Sequence, residues 1–409
     1  MWFARFTQTV LLFVGLAAIV TVRPAQAQTE TVLYTFTGGA DGAFPFTGVI
    51  HDSAGNLYGT SAGEQTGTVF KLSSQGKFKL LQSFAVPYGV YDWPFSRLVR
   101  DSAGNLYGTI YYGGAYNLGT VYKVDKNDDF SVLYSFPYAW FSVGDGPLGP
   151  LLLDGAGNLY GAGGGGGNCN GTSTCGEIFK VDASGRESVV HAFSRPRYGD
   201  YPQAGLIRDS AGNLYGTTMG GGHGGNGVVF KLDTTGNETV LYTFKGQPDG
   251  ALPYAGLILD TAGNLYGTTL QGGNRGCSSN GSCGVIFKLD TSGNETLLYA
   301  FTGKADGGNP NGPLVMDATG NLYGTAAWGT LSGGGAGDGV VFKLEPSGKE
   351  TVLYTFTGGV DGGGPDGGLT MDSHGDLYGT TVVGGNLHDC IPAGGGPGYG
   401  CGVVFKIMP

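Results

Sequence analysis

The stretch Asp209-Ser-Ala-Gly-Asn-Leu-Tyr-Gly-Thr-Thr218 decides the fold, because the chain returns to it seven times with little change. The Asn in this stretch, replaced by Asp in the last copy, marks the copies at Asn56, Asn105, Asn158, Asn213, Asn264, Asn321 and Asp376. Successive markers lie 49, 53, 55, 51, 57 and 55 residues apart. A period of this length indicates stacked supersecondary units that bury their apolar faces only against one another.

Each copy contains four short apolar runs separated by turn residues, a pattern typical of strands rather than helices. In the fourth copy these runs are residues 204–208, 213–218, 228–232 and 238–244. An Asp-x-x-Gly turn joins the first two runs, and a glycine-rich loop joins the second to the third. Four antiparallel strands in each copy predict one blade of a β-propeller.

The order of the strands along the chain predicts a closed ring. Without residues 1–27, the chain begins with a fourth strand, residues 30–36, and ends after a third strand. We therefore predict an all-β, seven-bladed β-propeller over residues 28–409, in which residues 30–36 complete the last blade, formed by residues 366–407. A right-handed β-helix and a pair of smaller β domains are the alternatives. The long period and the absence of a linker-like break disfavour both.

The N-terminus predicts export. Residues 1–27 combine Arg5, an apolar run over residues 10–22 and the small residues Ala25 and Ala27, which is the pattern of a secretory signal peptide. The apolar run is short for a membrane span, and no later segment resembles one. We expect a secreted or periplasmic monomer without a membrane span.

The composition supports a folded, acidic domain. Gly makes up 82 of the 409 residues, yet 40% of the residues are hydrophobic and 12% are aromatic, enough for a large core. The net charge of −10 disfavours nucleic acid and anionic lipid as partners.

The six cysteines fall into three local pairs, each within one loop of one copy. In an exported chain this pattern predicts three disulfides between neighbours. They are Cys169 with Cys175, Cys277 with Cys283, and Cys390 with Cys401. Metal binding is the alternative, although zinc requires four ligands brought together and few histidines lie near these pairs.

The repeated unit also resembles a known family. The composite Gly-Leu-Ile-x-Asp-x-x-Gly-Asn-Leu-Tyr-Gly-Thr-Thr, followed by a glycine-rich loop, Val-Phe-Lys-Leu and Glu-Thr-Val-Leu-Tyr-x-Phe, is similar to the GloVer tandem repeat of exported bacterial proteins. The resemblance covers residues 30–407. The blades of two-component-regulator propellers are more distantly similar. The resemblance implies export and supplies no catalytic residues.

Seven aspartates precede a proline in the loops between blades and form the first candidate ligand site. They are Asp41, Asp92, Asp145, Asp200, Asp249, Asp306 and Asp361. In a propeller these carboxylates are expected to circle one end of the central channel. One hypothesis is that they bind Ca²⁺ or the hydroxyls of a sugar, because hard cations prefer oxygen ligands. The other is that each Asp caps its own turn.

A second set of seven aspartates begins the Asp-x-x-Gly turns, at Asp52, Asp101, Asp154, Asp209, Asp260, Asp317 and Asp372. The third strand of each copy carries a lysine, at Lys71, Lys123, Lys180, Lys231, Lys288, Lys343 and Lys406. Both sets are expected at the face opposite the loops between blades. We predict structural Asp–Lys pairs there, each stabilising the fold by at most about 1 kcal/mol.

Residues that break the repeat form the second group of candidate ligand contacts. His223 and His388 occur in loops between second and third strands, and Trp93, Trp140 and Trp328 occur in loops. Aromatic faces beside carboxylates suit sugar stacking. The alternatives are a solvated histidine and an aromatic side chain that covers a neighbouring blade.

These observations favour an exported, non-enzymatic binding scaffold for a glycan or an extracellular protein. A secreted carbohydrate-active enzyme, lyase or hydrolase, that uses loop acids is the first alternative, and a structural envelope or matrix protein is the second. The chain has no Gly-x-Ser-x-Gly, phosphate-loop or His-Glu-x-x-His motif. No cofactor is expected other than the Ca²⁺ of the Asp hypothesis.

Overall fold

The computed structural model describes residues 29–63, 66–85, 94, 96–137, 146–147, 149–164, 175–194, 197–274, 283–327, 339–388, 390 and 400–409. Within these ranges the chain forms 28 β-strands, arranged as seven antiparallel sheets of four strands each. The predicted signal peptide, residues 1–27, lies outside the described residues. The prediction of a seven-bladed β-propeller is confirmed.

The strands are numbered in chain order. Blade 1 contains β2 (Val49–His51), β3 (Leu57–Ser61), β4 (Thr66–Leu72) and β5 (Phe78–Ala85). Blade 2 contains β6 (Val99–Arg100), β7 (Leu106–Ile110), β8 (Thr120–Val124) and β9 (Phe130–Ser135). Blade 3 contains β10 (Leu152–Leu153), β11 (Leu159–Gly163), β12 (Glu177–Val181) and β13 (Glu187–Ala192). Blade 4 contains β14 (Ile207–Arg208), β15 (Leu214–Thr218), β16 (Val228–Leu232) and β17 (Glu238–Thr243).

Blade 5 contains β18 (Ile258–Leu259), β19 (Leu265–Thr269), β20 (Val285–Leu289) and β21 (Glu295–Ala300). Blade 6 contains β22 (Val315–Met316), β23 (Leu322–Ala326), β24 (Val340–Leu344) and β25 (Glu350–Thr355). Blade 7 contains β26 (Thr370–Met371), β27 (Leu377–Thr381), β28 (Val403–Met408) and β1 (Thr29–Thr35). In every blade the short first strand is an edge strand and lies nearest the central channel.

The two ends of the chain close the ring in the last blade, as predicted. Strand β1 pairs antiparallel with β28, in a register that runs from Thr29 opposite Met408 to Thr35 opposite Val403. This pairing gives the last blade the same four strands as the other six. It also covers the strand edge that β28 would otherwise present.

Aromatic contacts join each blade to the next. The aromatic residue that ends a fourth strand packs against the aromatic residue in the third strand of the following blade, with ring centroids 5.0–5.4 Å apart. The seven pairs are Phe36–Phe70, Phe84–Tyr122, Phe136–Phe179, Phe193–Phe230, Phe244–Phe287, Phe301–Phe342 and Phe356–Phe405. Such pairs contribute about 0.5–1.5 kcal/mol each beyond their burial. The Phe36 pair uses the N-terminal strand, so ring closure buries the same contact as the other junctions.

The glycine in the second strand makes room for these rings. Gly216 lies opposite Phe230 in the β15–β16 register. A Cβ at residue 216 would lie 2.7 Å from the Phe230 ring and 2.9 Å from the Leu206 side chain. The glycine of the repeated Leu-Tyr-Gly is therefore required by packing, since its φ does not lie in the left-handed region.

The Asp-x-x-Gly turn is held by the Asp side chain. In blade 4, Asp209 accepts hydrogen bonds from the Asn213 backbone N–H at 2.8 Å, from the Asn213 side-chain amide at 2.7 Å and from the Tyr215 hydroxyl at 3.0 Å. Burial tends to raise the pKa of Asp209, but these hydrogen bonds outweigh it, and the net pKa is lowered. The repeated Asp, Asn and Tyr thus form one local network.

The predicted Asp–Lys pairs do not form among the described residues, so that prediction is wrong. Lys231 lies directly across the strand pair from Tyr215, and its ammonium sits 5.7 Å from the centre of the Tyr215 ring. The lysine therefore binds the face of the tyrosine ring, whose hydroxyl binds the Asp. Lys406 forms an ion pair with Asp376, the residue that replaces the repeated Asn, at 2.6 Å.

One predicted disulfide lies wholly within the described residues. Cys390 and Cys401 are bonded, with their Cα atoms 5.1 Å apart. Cys175 and Cys283 also take part in disulfides. Their predicted partners, Cys169 and Cys277, lie outside the described residues.

The packing of the second-strand glycine yields a first prediction. Gly216→Ala should lower the free energy of unfolding by about 1–3 kcal/mol, because the added methyl group overpacks the space filled by Phe230 and Leu206. Gly155→Ala is the matched control, since a Cβ at residue 155 meets nothing within 4 Å. Urea unfolding followed by circular dichroism measures both variants. Equal stability of the two variants would contradict the packing argument.

Tyr122 yields a second prediction, because it replaces the repeated phenylalanine of the third strand. Its hydroxyl is buried and has no hydrogen-bond partner among the described residues. Burial raises the pKa of this hydroxyl. Tyr122→Phe should raise the free energy of unfolding by about 1 kcal/mol, because it removes an unsatisfied buried hydroxyl. A loss of stability in the same urea experiment would show that the hydroxyl has a partner.

Candidate functional site

A repeated proline leads each blade into its first strand, and at four junctions a threonine of the preceding blade binds the proline carbonyl. Thr217 donates a hydrogen bond to the Pro253 carbonyl at 3.0 Å. Thr380 donates to the Pro45 carbonyl at 2.6 Å across the closure of the ring. The same bond joins Thr60 to Pro94 and Thr268 to Pro310. The threonine of the repeated Gly-Thr thus fixes the residue that follows the proline in the next blade.

The residue before this proline has a left-handed backbone in blades 1, 4, 5, 6 and 7, whereas the described Gly146 of blade 3 does not. Its φ is 51° at Phe44, 55° at Tyr201, 55° at Leu252 and 55° at Asn309, values that L-residues rarely adopt. Each of these four backbone N–H groups donates to a carbonyl just before the third strand of the preceding blade, at 2.8–2.9 Å. Three of the four acceptors are the disulfide-bonded cysteines Cys401, Cys175 and Cys283. A left-handed backbone at an L-residue is strained, and it persists where contacts with the neighbouring blade hold the loop in place.

The residues that follow the prolines surround one cavity of about 460 Å³ in the central channel. It lies where the first strands begin, and residues from all seven blades line it. Five of the seven residues after the proline are described, and all five line the cavity: Phe46, Gln203, Tyr254, Asn311 and Asp366. A cavity of this size falls within the range of small-molecule sites.

The chemistry of this ring of residues differs from blade to blade. The residues after the repeated proline are Phe46, Phe95, Leu148, Gln203, Tyr254, Asn311 and Asp366 in chain order. Blades 1–3 are therefore apolar at this position, and blades 4–7 are polar. These residues were not predicted as site residues, because the predictions rested mainly on the residues that repeat. The signal that could have identified them is the variation in residue type directly after an invariant proline.

Arg97 is the one basic residue among the described residues that line the cavity. It stands where the other blades carry Gly48, Pro150, Gly205, Gly256, Pro313 and Gly368. Its Nη2 donates to the backbone carbonyls of Val49 and Leu369, both at 3.0 Å, so the guanidinium joins blade 2 to blades 1 and 7. Its Nε has no hydrogen-bond partner among the described residues. Burial lowers the pKa of Arg97 to about 10, so the side chain remains charged.

Asp366 is the one carboxylate among the described residues of the cavity wall. Burial raises its pKa to about 6, while a hydrogen bond from Asn311 opposes that rise. The Oδ1 of Asn311 is itself buried without a partner among the described residues. Burial and the Asp366 charge raise the pKa of Tyr254. Asp366, Asn311 and Tyr254 thus form a polar wall with free hydrogen-bonding capacity.

Four of the five described aspartates from the loops between blades accept hydrogen bonds from a tyrosine and a backbone N–H group. Asp41 accepts hydrogen bonds from the Tyr34 hydroxyl at 2.9 Å and from the Thr37 N–H at 2.9 Å. Asp249, Asp306 and Asp361 repeat this pair of bonds, each with a tyrosine seven residues earlier and a backbone N–H four residues earlier. None of the five lines the cavity. These bonds fix the exit from the fourth strand, and ligand binding by this ring stays a prediction.

Asp200 is the exception among these aspartates. His191 replaces the tyrosine of its blade, and it contacts Glu238 at 3.3 Å and the Gly236 carbonyl at 3.1 Å. The Oδ1 of Asp200 is buried without a partner among the described residues. Burial raises the pKa of Asp200.

Most of the other predicted ligand residues cannot be compared with the cavity. Asp92, Asp145, Trp93, Trp140 and Trp328 lie outside the described residues. His223 and His388 are described and exposed, and neither lines the cavity. Within the described ranges, no three His, Cys, Asp or Glu side chains form a metal-binding group. The same part of the chain contains no helix with the length and apolar character of a membrane span.

Comparison with protein families gives a match over almost the whole chain. A family profile described as the Gloeobacter/Verrucomicrobia repeat matches residues 13–210, 64–282 and 210–409. No curated protein matches the chain in sequence.

Several solved structures share the fold. A protein from Lactobacillus plantarum is 16% identical over 76% of this chain and 84% of its own, with a TM-score of 0.51. The extracellular domain of a hybrid two-component system from B. thetaiotaomicron is 12% identical over 92% of this chain, with a TM-score of 0.55. A second structure, the extracellular domain of a one-component system from B. thetaiotaomicron, is 12% identical over 93% of this chain, with a TM-score of 0.54. This chain spans 39% and 40% of those two B. thetaiotaomicron chains. At these identities the likeness shows the fold alone.

Buried glutamates beside the loop aspartates predict how stability changes with pH. Burial and the Asp306 charge raise the pKa of Glu350 from 4.5 to about 7, and burial and the Asp361 charge do the same to Glu30. The folded protein binds these protons more tightly than the unfolded chain does. The two glutamates therefore contribute fully to the free energy of unfolding below pH 4.5, and this contribution is lost as the pH rises through 7. The melting temperature should therefore fall between pH 5 and pH 8.

The variant Glu350→Gln tests this prediction by removing one of the titrating groups. Its melting temperature should fall less than that of the wild type over the same pH range. Asp129→Asn, which alters an exposed turn carboxylate, is the control and should follow the wild-type curve. Scanning calorimetry in buffers of equal ionic strength gives the three curves. An identical slope for Glu350→Gln and the wild type would contradict the assignment.

Proposed function

Because this chain belongs to the Gloeobacter/Verrucomicrobia repeat family and folds as a closed propeller, we propose that it is an exported, non-enzymatic binding protein for a hydroxyl-rich ligand such as a glycan. The ligand binds in the cavity of the central channel. A glycan end or a single sugar unit suits its size better than an extended protein surface does.

One observation carries the proposal: all seven blades contribute to a single cavity of about 460 Å³ that combines apolar and polar side chains. Phe46 supplies an apolar ring, and Gln203, Tyr254 and Asn311 supply donors and acceptors. Sugars present both apolar faces and hydroxyl groups, so they suit such a wall. The loops that carry these residues are held by hydrogen bonds from the preceding blade, which favours binding without a large rearrangement.

Export is supported by the disulfide between Cys390 and Cys401, because disulfides persist in oxidising compartments. The signal-peptide pattern of residues 1–27 points in the same direction.

A carbohydrate-active enzyme remains the second candidate, because Asp366 has a pKa near 6 and lies in the cavity wall beside Tyr254. Such a pKa suits general acid–base chemistry near neutral pH. A hydrolase with paired acids is less well supported, because it requires two carboxylates across one substrate. The described cavity residues supply one.

The proposal is tested by titrating the oxidised protein with a panel of neutral and acidic mono- and disaccharides in a calorimeter. Tyr254→Ala should weaken binding of the best ligand by about 10-fold, because it removes a ring and a hydroxyl from the cavity wall. Tyr198→Ala is the matched control, since Tyr198 is similarly exposed, 41% against 37%, and does not line the cavity. No binding by any sugar, or equal loss in both variants, would contradict the cavity proposal.

The remaining alternatives are separated by three further measurements. Loss of binding in Trp328→Ala with full binding in Tyr254→Ala would place the ligand at the loops instead. Heat or a melting shift on adding millimolar Ca²⁺ would support the Asp ring as a cation site. New reducing ends or unsaturated sugars in the sample would identify an enzyme, and the absence of any ligand would favour a structural protein.

A further inference from the structure

We propose that the cavity recognises an acidic sugar of hexuronate size, with its carboxylate beside Arg97 and its hydroxyls beside Asn311 and Asp366. This inference rests on the proposed function and narrows it from glycans in general to glycans with a carboxylate. It follows from the two unpaired charges and the two unpartnered polar atoms that line one cavity.

Arg97 supplies the first argument, because it is a cation without a counter-ion. No carboxylate among the described residues forms an ion pair with it. Its hydrogen bonds to the Val49 and Leu369 carbonyls hold the guanidinium in place but leave its charge uncompensated and its Nε–H free. A buried charge is costly until an opposite charge and hydrogen bonds satisfy it. A ligand carboxylate provides both.

The position of Arg97 in the repeat supports the same conclusion. Six blades carry Gly or Pro at this place, so the fold of the blade does not require a long basic side chain there. The protein as a whole is acidic, with a net charge of −10, and repels anions. Arg97 therefore places a positive charge in the channel of a protein whose net charge is negative.

The polar residues Asn311 and Asp366 of the cavity wall require donors rather than a second anion. The Oδ1 of Asn311 is a buried acceptor without a partner among the described residues. Asp366, which Asn311 hydrogen-bonds, is a further acceptor, and its buried charge repels a carboxylate. Sugar hydroxyls can donate to both groups. These groups thus orient one ligand, with its acid group toward Arg97 and its hydroxyls toward Asn311 and Asp366.

The volume of the cavity and the apolar side chain of Phe46 also suit a hexuronate. A volume of about 460 Å³ accommodates one sugar ring with room for a linkage to a second. The ring of Phe46 lines the same cavity and offers an apolar face for the C–H groups of the sugar. A simple inorganic anion would use Arg97 but would make no use of the Phe46 ring or the Asn311 amide.

The test compares ligands that differ only in charge, titrated into the wild-type protein. The probes are D-galacturonate, D-glucuronate, the methyl ester of D-galacturonate, D-galactose and inorganic phosphate. Each uronate should bind at least about 10-fold more tightly than the ester or the neutral sugar, because the ester cannot form the charged hydrogen bonds with Arg97. The uronate affinity should also fall with added NaCl, whereas that of D-galactose should not.

Two variants assign the preference to Arg97. Arg97→Gln should remove the preference for uronate over D-galactose, and Arg97→Lys should retain part of the preference. The comparison of ester with acid needs no variant, so it remains decisive if Arg97→Gln does not fold.

The outcomes separate this inference from the proposed function. Equal binding of uronate, ester and galactose would overturn the acidic-sugar inference and leave the glycan-binding proposal in place. Phosphate binding as tight as uronate binding would also overturn it, because the site would then recognise a simple anion. Absence of binding by every sugar would overturn both.

Discussion

Seven aromatic contacts, one at each junction between blades, hold the ring together. Each contact joins the end of a fourth strand to the third strand of the next blade, so no blade buries its own rings completely. The glycine of the second strand is part of the same constraint, because any side chain there would collide with the ring of the third strand. The junction between Phe36 and Phe70 shows that the N-terminal strand is needed for the seventh contact. The strand register, the ring closure and the channel all depend on this repeated packing.

The same junctions position the candidate site. A threonine in one blade holds the proline carbonyl of the next, and the following residue is thereby directed to the channel wall. The left-handed residue before the proline is held by a backbone hydrogen bond to the preceding blade, in three described cases to a disulfide-bonded cysteine. The protein therefore presents the five described side chains of this position on a rigid frame, and their chemistry varies without altering the blades. Arg97 adds a further change at a position where glycine or proline suffices for the fold.

The acidic residues divide into groups according to their hydrogen bonds and burial. The turn aspartates, such as Asp209, accept several hydrogen bonds, and their pKa values are lowered in spite of burial. Glu30 and Glu350 are half-buried beside another carboxylate, and their pKa values are raised to about 7. Asp366 lies in the channel with Asn311 as its hydrogen-bond donor, and its pKa rises to about 6. The turn aspartates thus stabilise the turn of each blade, whereas Asp366 occurs once and lines the cavity.

The sequence by itself determined the number of blades, the four strands of each blade and the closure by residues 30–36. Periodicity, turn residues and strand patterns are local, and the complementary ends of the chain leave one way to complete the last blade. The pairing of Cys390 with Cys401 was predictable for the same reason, because the two residues lie in one loop. Only the tertiary structure decided which side chains meet. Lys231 binds the Tyr215 ring instead of an aspartate because register places them opposite each other. Arg97, Asn311 and Asp366 come from three blades, and only closure of the ring brings them to one cavity.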